Sequence, residues 1–219
     1  LDARISGGTQ NVYSGGYAFS TTVSNGGVQN IYTSNTSFTA AAFSTNVYSG
    51  GVVNVHSGGV AFYTMISGGE NNVSSGGQAQ AAYIYSGGVQ NIMSGGTAGY
   101  ATNLGGVQNI YSGGSNAAAN SIQSGGIQNL SGGLTQETDI FTSGVQNVYA
   151  GGIARFIRVY STGVQNVYSG GVVSTEITLY SGGAQNVYDG GSAKFTRVSN
   201  GANQNVYSGG TTLSSLLTS

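Results

Sequence analysis

Cysteine, proline and tryptophan are all absent from this chain of 219 residues, and only one histidine is present. Without cysteine there are neither disulfides nor thiolate ligands, so a non-covalent device must hold the fold together, and no metal is expected. Charge is scarce as well: 5% of residues carry it, in five basic and six acidic side chains, for a formal net charge of −1. The basic residues are spread along the chain rather than clustered, which leaves no footprint for phosphate backbones and excludes nucleic acid as an expected partner. No apolar run of about 18 residues exists to form a membrane-spanning helix. The opening residues Leu1, Asp2, Ala3 and Arg4 lack the charged-then-apolar layout of a signal peptide. The expected organisation is therefore one repeat-array domain over residues 1–219, excised from a longer chain.

What is present in excess is glycine, at 40 residues, together with a polar background of Ser, Asn and Gln. Such a composition would suggest disorder, but 38% of the residues are hydrophobic and 10% aromatic, enough for a buried core. The apolar residues are organised by a repeat. One phrase, close to Ser-Gly-Gly-Val-Gln-Asn-Val-Tyr-Ser-Gly-Gly, recurs from end to end. Its asparagine falls at Asn11, Asn30, Asn54, Asn72, Asn91, Asn109, Asn129, Asn147, Asn166, Asn186 and Asn205. Successive copies are 18 to 20 residues apart, apart from one gap of 24, which the extra residues in the stretch from Thr36 to Ser44 account for as a loop.

The slot after each asparagine is aliphatic in all eleven copies, from Val12 to Val206, and is expected to point inward. A second segment follows each phrase, with Ala at Ala18, Ala61, Ala79, Ala98, Ala154 and Ala193 and an aliphatic residue at Val23, Ile66, Ile84, Val159 and Val198. Each period thus reads as two short strands bounded by Gly-Gly corners. Helix is excluded because glycine costs about 0.8 to 1 kcal/mol per helical position, the apolar slots lack a 3.6-residue period, and Val, Ile, Thr and Tyr fill the segments. A period near 19 residues cannot close a core alone, but stacked copies can pair each strand in parallel with its equivalent one turn away. The expected fold is all-β, a parallel β-helix of about eleven rungs forming a rod on the order of 55 Å long. Missing proline agrees with this, since every inner strand must donate to two neighbours. The Asn column is expected to form an amide ladder at a corner.

Candidate chemistry is sparse. Glu137 and Asp139 are followed one rung later by Arg155 and Arg158, and then by Glu176, Lys194 and Arg197. The favoured reading is an outward ladder of alternating charge. The alternative is a ligand groove, or the active site of a carbohydrate-active β-helix enzyme using Glu137, Asp139, Arg155 and Arg158. His56 occupies a slot that is tyrosine in most copies and has no neighbouring acid in sequence to orient it as a base. The tyrosines themselves read as a shielding aromatic ladder or, alternatively, a sugar-stacking platform. No cofactor is expected, since no Gly-Lys-Ser/Thr phosphate loop exists and Asp stands at a corner only at Asp189, unlike calcium-binding solenoids.

The most regular chemical feature is a series of serines that open the corner phrase Ser-Gly-Gly, or Ser-Thr-Gly at Ser161. They are Ser6, Ser14, Ser49, Ser57, Ser67, Ser75, Ser86, Ser94, Ser112, Ser124, Ser131, Ser161, Ser169, Ser181 and Ser208. Turn chemistry explains them; so does an array of accessible hydroxyls available for modification.

The phrases at residues 161–171 (STGVQNVYSGG) and 87–91 (GGVQN) resemble the imperfect repeats of the AIDA/TibA family of self-associating autotransporter adhesins, and the resemblance spans nearly the whole chain. It implies a non-enzymatic passenger domain, carried to the bacterial surface by a C-terminal translocator barrel outside this sequence and tethered to the outer membrane. It also implies binding to host cells, autoaggregation with other copies, and biofilm growth. Members are glycosylated with heptose on serine by a dedicated heptosyltransferase, which would make the serines above acceptors, while Ala150 and Asp189 could accept nothing. A coat of sugar would also supply the solubility that a nearly uncharged surface lacks. Leu213, Leu216 and Leu217 mark an edge where copies are expected to associate.

Overall fold

The structure is a computed structural model that describes residues 2–33 and 39–218. It is a parallel β-solenoid, and among the described residues there is no helix. Eleven strands, from Thr9–Val12 to Asn203–Val206, form one sheet in strict chain order, and a further twenty-one form a second sheet. The ladders run parallel, and the expected asparagine column is in register throughout: Asn11 pairs with Asn30, Asn30 with Asn54, and so on to Asn186 with Asn205.

Each turn of the coil contains three strands, not two. After Thr9–Val12 comes Tyr17–Phe19, then Thr22–Ser24, and only then Val28–Ile31 of the next copy. The cross-section has three faces: a first face bearing the Asn column, and a second and third that share the larger sheet because Leu134–Ile140 and Ile153–Val159 run unbroken across their common corner. That corner is made by one residue in the left-handed region, as at Tyr63, Ala81, Tyr100, Glu137 and Phe156, with φ between 50° and 56°. Glycine does not mark it. Side chains rarely adopt this conformation, at a cost of about 1–2 kcal/mol. Inter-rung bonds such as Phe156 N–H to Thr175 O at 2.9 Å and Tyr63 N–H to Gln80 O at 3.0 Å hold it.

Three inward columns make the core. Ile31, Ile92, Ile110, Leu130, Val148, Val167 and Val187 are fully buried on the first face, Ala61, Ala79 and Ala154 lie on the second, and Val23, Ile66, Ile84, Ile140 and Val159 on the third. Each fully buried Val, Ile or Leu contributes roughly 1.5–3 kcal/mol relative to exposure. Small alanine on the second face lets the three walls approach within one side-chain layer. Val206 follows the inward pattern but is exposed in the last described rung, where no further strand covers it.

Alternation puts two residues of each first-face strand inside, so glutamine shares the core with the aliphatic slot. Gln29, Gln90, Gln128, Gln146, Gln165 and Gln185 are wholly buried. Each side chain donates to the amide before it: Gln90 to Asn71 at 3.0 Å, Gln146 Nε2 to Gln128 Oε1 at 2.7 Å, Gln165 to Gln146 and Gln185 to Gln165 at 2.6 Å. The asparagine ladder exists, with Asn147 Nδ2 to Asn129 Oδ1 at 3.0 Å, but it lies on the outer surface of the first face rather than at a corner. The stretch expected to loop out from Thr36 to Ser44 contains the strand Ala40–Phe43, in register with Tyr17–Phe19, and a corner at Ser44. The remainder of that expected loop, residues 36–38, lies outside the described residues.

Candidate functional site

Two of the three corners are four-residue turns that present serine. In the turn His56-Ser57-Gly58-Gly59, Gly59 N–H donates to His56 O at 2.9 Å and Gly58 has φ +71°, the left-handed third position that type II turns give to glycine. Serine is the second residue, projecting outward. This slot holds Ser14, Ser57, Ser75, Ser94, Ser112, Ser169 and Ser208 between the first and second faces, and Ser49, Ser86, Ser124, Ser161 and Ser181 between the third and first. All of these are exposed except Ser14, which is half-buried and hydrogen-bonded to Thr33. Two straight columns of hydroxyls therefore run along the rod, one rung, about 4.8 Å, apart where consecutive copies keep serine.

Three of the fifteen expected serines stand elsewhere. At Ser6, Ser67 and Ser131 the corner is one residue shorter, and serine sits in the strand-end slot, paired with Ser24, Tyr48 and Tyr111 respectively. The signal that separates them is upstream: Ser6, Ser67 and Ser131 directly follow the inward aliphatic residue Ile5, Ile66 or Leu130, whereas one residue, such as Tyr48 or Tyr168, intervenes before the turn serines.

The two glycines of each corner serve different needs. A Cβ on the second would collide with the backbone of the rung beneath and of its own turn: on Gly171 it would lie 2.9 Å from Val148 C and 3.0 Å from Tyr168 O. A Cβ on the first would meet the serine beneath: on Gly190 it would be 2.5 Å from Ser169 Oγ, on Gly113 2.7 Å from Ser94 Oγ, and on Gly182 2.8 Å from Ser161 Oγ. The positive-φ glycine thus clears space over the hydroxyls of Ser57, Ser75, Ser94, Ser161, Ser169 and Ser181, and the same space admits a substituent on them.

Aromatic side chains flank the serine columns. Tyr149, Tyr168, Tyr188 and Tyr207 stack with centroids 4.9 to 5.0 Å apart and planes within 9°. Phe141, Tyr160 and Tyr180 stack likewise at 4.6 to 4.7 Å. Rings that cover one another's faces offer only edges to solvent, which favours the shielding ladder over a sugar platform for these columns. Burial in the stack raises the Tyr168 phenol, with the neighbouring Tyr149 and Tyr188 adding to it, and burial followed by nearby Asp139 raises Tyr160. Because these phenols hold their protons more tightly when folded, their stabilisation is complete below the unfolded tyrosine value near pH 10 and is lost as pH rises through the folded values. Alkaline titration followed by absorbance should show a late-ionising tyrosine subset that Tyr168→Phe reduces, with stability falling over the same interval.

Of the candidate enzyme residues, Asp139 and Arg158 are register partners on the third face and form a bidentate pair, Nε to Oδ1 at 2.5 Å and Nη2 to Oδ2 at 3.1 Å. Glu137 stands at the left-handed corner instead, and Arg155 pairs in register with Gln136 on the second face. The expected alternating charge ladder is thus realised in one pair, and the four residues are distributed over two faces and a corner. His56 lies in the tyrosine column, edge-on to Tyr32 with centroids 5.8 Å apart.

With this geometry in view, comparison with solved structures is informative. A crystal structure of a TibC-catalysed, hyper-glycosylated fragment of TibA is similar to this chain at 34% identity, covering 100% of this chain and 92% of the fragment, with a TM-score of 0.67. This chain belongs to the TibA family. No protein-family model matches it, and no curated protein does. The sequence alone did not reveal the third corner, which lacks glycine, or the burial of the glutamine column.

Proposed function

We propose that this TibA-family chain is a non-enzymatic passenger domain of a bacterial surface adhesin, tethered to the outer membrane through a translocator outside this sequence. Its corner serines accept heptose from an autotransporter heptosyltransferase. The observation that carries the reading is the pair of solvent-facing serine columns, in which hydroxyls such as those of Ser57, Ser94, Ser161 and Ser169 lie beneath a side-chain-free glycine, in a relative of a fragment that is itself hyper-glycosylated. The coated rod contacts host surfaces and other copies of itself.

The test is co-expression with a TibC-type transferase followed by intact-mass and peptide mass spectrometry. We expect a series of masses above 21.9 kDa, with the highest occupancy at the exposed turn serines such as Ser57, Ser94, Ser169 and Ser181. Lower occupancy is expected at Ser14, which Thr33 engages, and at the strand-end serines Ser6, Ser67 and Ser131. Only the unmodified chain, or occupancy unrelated to turn position, would count against the reading.

A passive stalk is the second reading, supported by the unbroken regularity of the first face. Removing whole rungs separates the two: a stalk keeps cell binding as it shortens, whereas an adhesive segment loses it. For catalysis by Glu137, Asp139, Arg155 and Arg158 the geometry offers little, since Asp139 is occupied by Arg158. Release of reducing ends from a polysaccharide panel would restore that alternative.

A further inference from the structure

In most rungs the corner between the second and third faces is made by one left-handed residue; the rung at residues 117–119 makes it with none, and one rung makes it with two. Thr175 and Glu176 both have positive φ, at 67° and 47°, where the rungs on either side use Phe156 alone and Phe195 alone. The register records the insertion: Arg155 pairs with Ser174, nineteen residues on, whereas Arg158 pairs with Thr178, twenty residues on. The extra residue bulges outward between two phenylalanines that would otherwise belong to a continuous column.

The consequence is a groove of about 600 Å³ whose lining includes Glu137, Phe156, Arg158, Glu176, Phe195 and Arg197. That volume is within the range of small-ligand sites. Phe156 and Phe195 are 38% and 55% exposed. They stand two rungs apart, about 9.6 Å along the axis from the strand spacing, with no ring contact between them. This contrasts with the tyrosine columns, whose rings close on their neighbours one rung away. Glu137, Glu176, Arg158 and Arg197 line the groove, and because Arg158 is already engaged by Asp139, two free carboxylates face one free guanidinium. Among the described residues Glu137, Glu176 and Arg197 form no ion pair.

We propose that this groove binds one ring of a neutral saccharide, its C–H faces against Phe156 and Phe195 and its hydroxyls on Glu176 and Arg197. Apolar ring surface beside both donor and acceptor ions suits a polyol, which presents C–H faces and hydroxyls of both senses. An acidic ligand would be repelled by Glu137 and Glu176, with Arg197 alone to attract it. An extended peptide gains nothing from the backbone here, because the strands beneath are paired on both sides and offer no free edge. The ligand class belongs to the adhesin reading above, but the site itself does not depend on glycosylation of the corner serines.

Saturation-transfer NMR on the intact, unmodified chain tests this, with methyl glycosides of neutral hexoses and of a heptose as probes and methyl glucuronide as the acidic control. Neutral glycosides should receive saturation, and binding should weaken by about tenfold or more in Phe195→Ala and in Arg197→Gln, while Tyr13→Ala, remote in the chain, leaves it unchanged. Deleting Thr175, which restores the one-residue corner, should abolish it with the far-ultraviolet circular dichroism spectrum retained. No transfer to any neutral probe, equal binding by the variants, or preference for the glucuronide would overturn the proposal. Two further arms separate the sources of the sugar. If the ligand is the glycan of a neighbouring copy, unmodified chain will co-sediment with glycosylated chain and Phe195→Ala will not. If it is a host glycan, binding will appear only on an array of neutral oligosaccharides. Because the probed chain carries no sugar, a negative result leaves the glycosylation reading standing.

Discussion

Replacing Gln146 with leucine is expected to destabilise the middle of the rod far more than replacing its neighbour Asn147 with alanine. Gln146 is fully buried, donates to Gln128 and accepts from Gln165. Its removal leaves the Gln128 carbonyl and the Gln165 amide without partners in the buried interior, at about 1–3 kcal/mol for each orphaned group and so about 2–6 kcal/mol together before any gain from the leucine. The other inward side chains of that rung, Ala154, Ile157 and Val159, supply no substitute. Asn147 occupies the same kind of ladder, bonded to Asn129 and Asn166 at 3.0 Å. It lies on the outer surface, however, where water replaces the lost bonds, and about 1 kcal/mol or less is expected. The natural break in the glutamine column shows what tolerance requires. At Val53, Asn71 turns its amide to the Val53 carbonyl at 3.3 Å, and Gln29 accepts from Thr45 at 3.1 Å. Because a stacked array need not unfold in one step, the measurement is amide hydrogen exchange resolved by rung. Faster exchange confined to Ile127–Ser131, Val145–Val148 and Val164–Val167 is expected for Gln146→Leu, and equal exchange in both variants would sink the idea.

This contrast also marks where the sequence speaks and where it is silent. The aliphatic slots from Val12 to Val187 and the register of the asparagines were legible because the solenoid converts sequence identity at one period into contact. Alternation along a strand carried the rest of the information, but a glutamine between valine and asparagine does not announce itself as core. Its burial depends on partners in the rungs above and below, which only the stacked arrangement supplies. The third corner was hidden for a different reason. Tyr63, Ala81, Glu137 and Phe156 have no preference for the left-handed region, and it is imposed on them by closure of the coil, so composition gives no sign of the turn. The candidate serines were legible as a period, yet their division into turn slots and strand-end slots required the pairing of Ser6 with Ser24 and of Ser131 with Tyr111. The groove depends on a single inserted residue at Thr175–Glu176, visible only as a shift of register from nineteen to twenty.

The two glycines of a corner should separate fold from modification. Gly171→Ala places a methyl group against Val148 and Tyr168 backbone atoms at 2.9 and 3.0 Å. No side chain can rotate away, so the strands must move apart, at about 3 kcal/mol or more. Gly170→Ala meets a milder obstacle, a positive φ of +72° and the Ala150 Cβ at 3.2 Å, for about 1–2 kcal/mol. Gly190→Ala carries the same backbone strain, but its methyl group falls 2.5 Å from Ser169 Oγ. In material made with the transferase, Gly190→Ala should therefore lose sugar at Ser169 while remaining folded, and Gly170→Ala, which faces an alanine, should leave the occupancy of the serines in the adjoining rungs unchanged. Equal loss in both would mean that turn flexibility governs acceptance rather than the space above each hydroxyl. Full occupancy at Ser169 in Gly190→Ala would mean that the glycine is there for the fold alone.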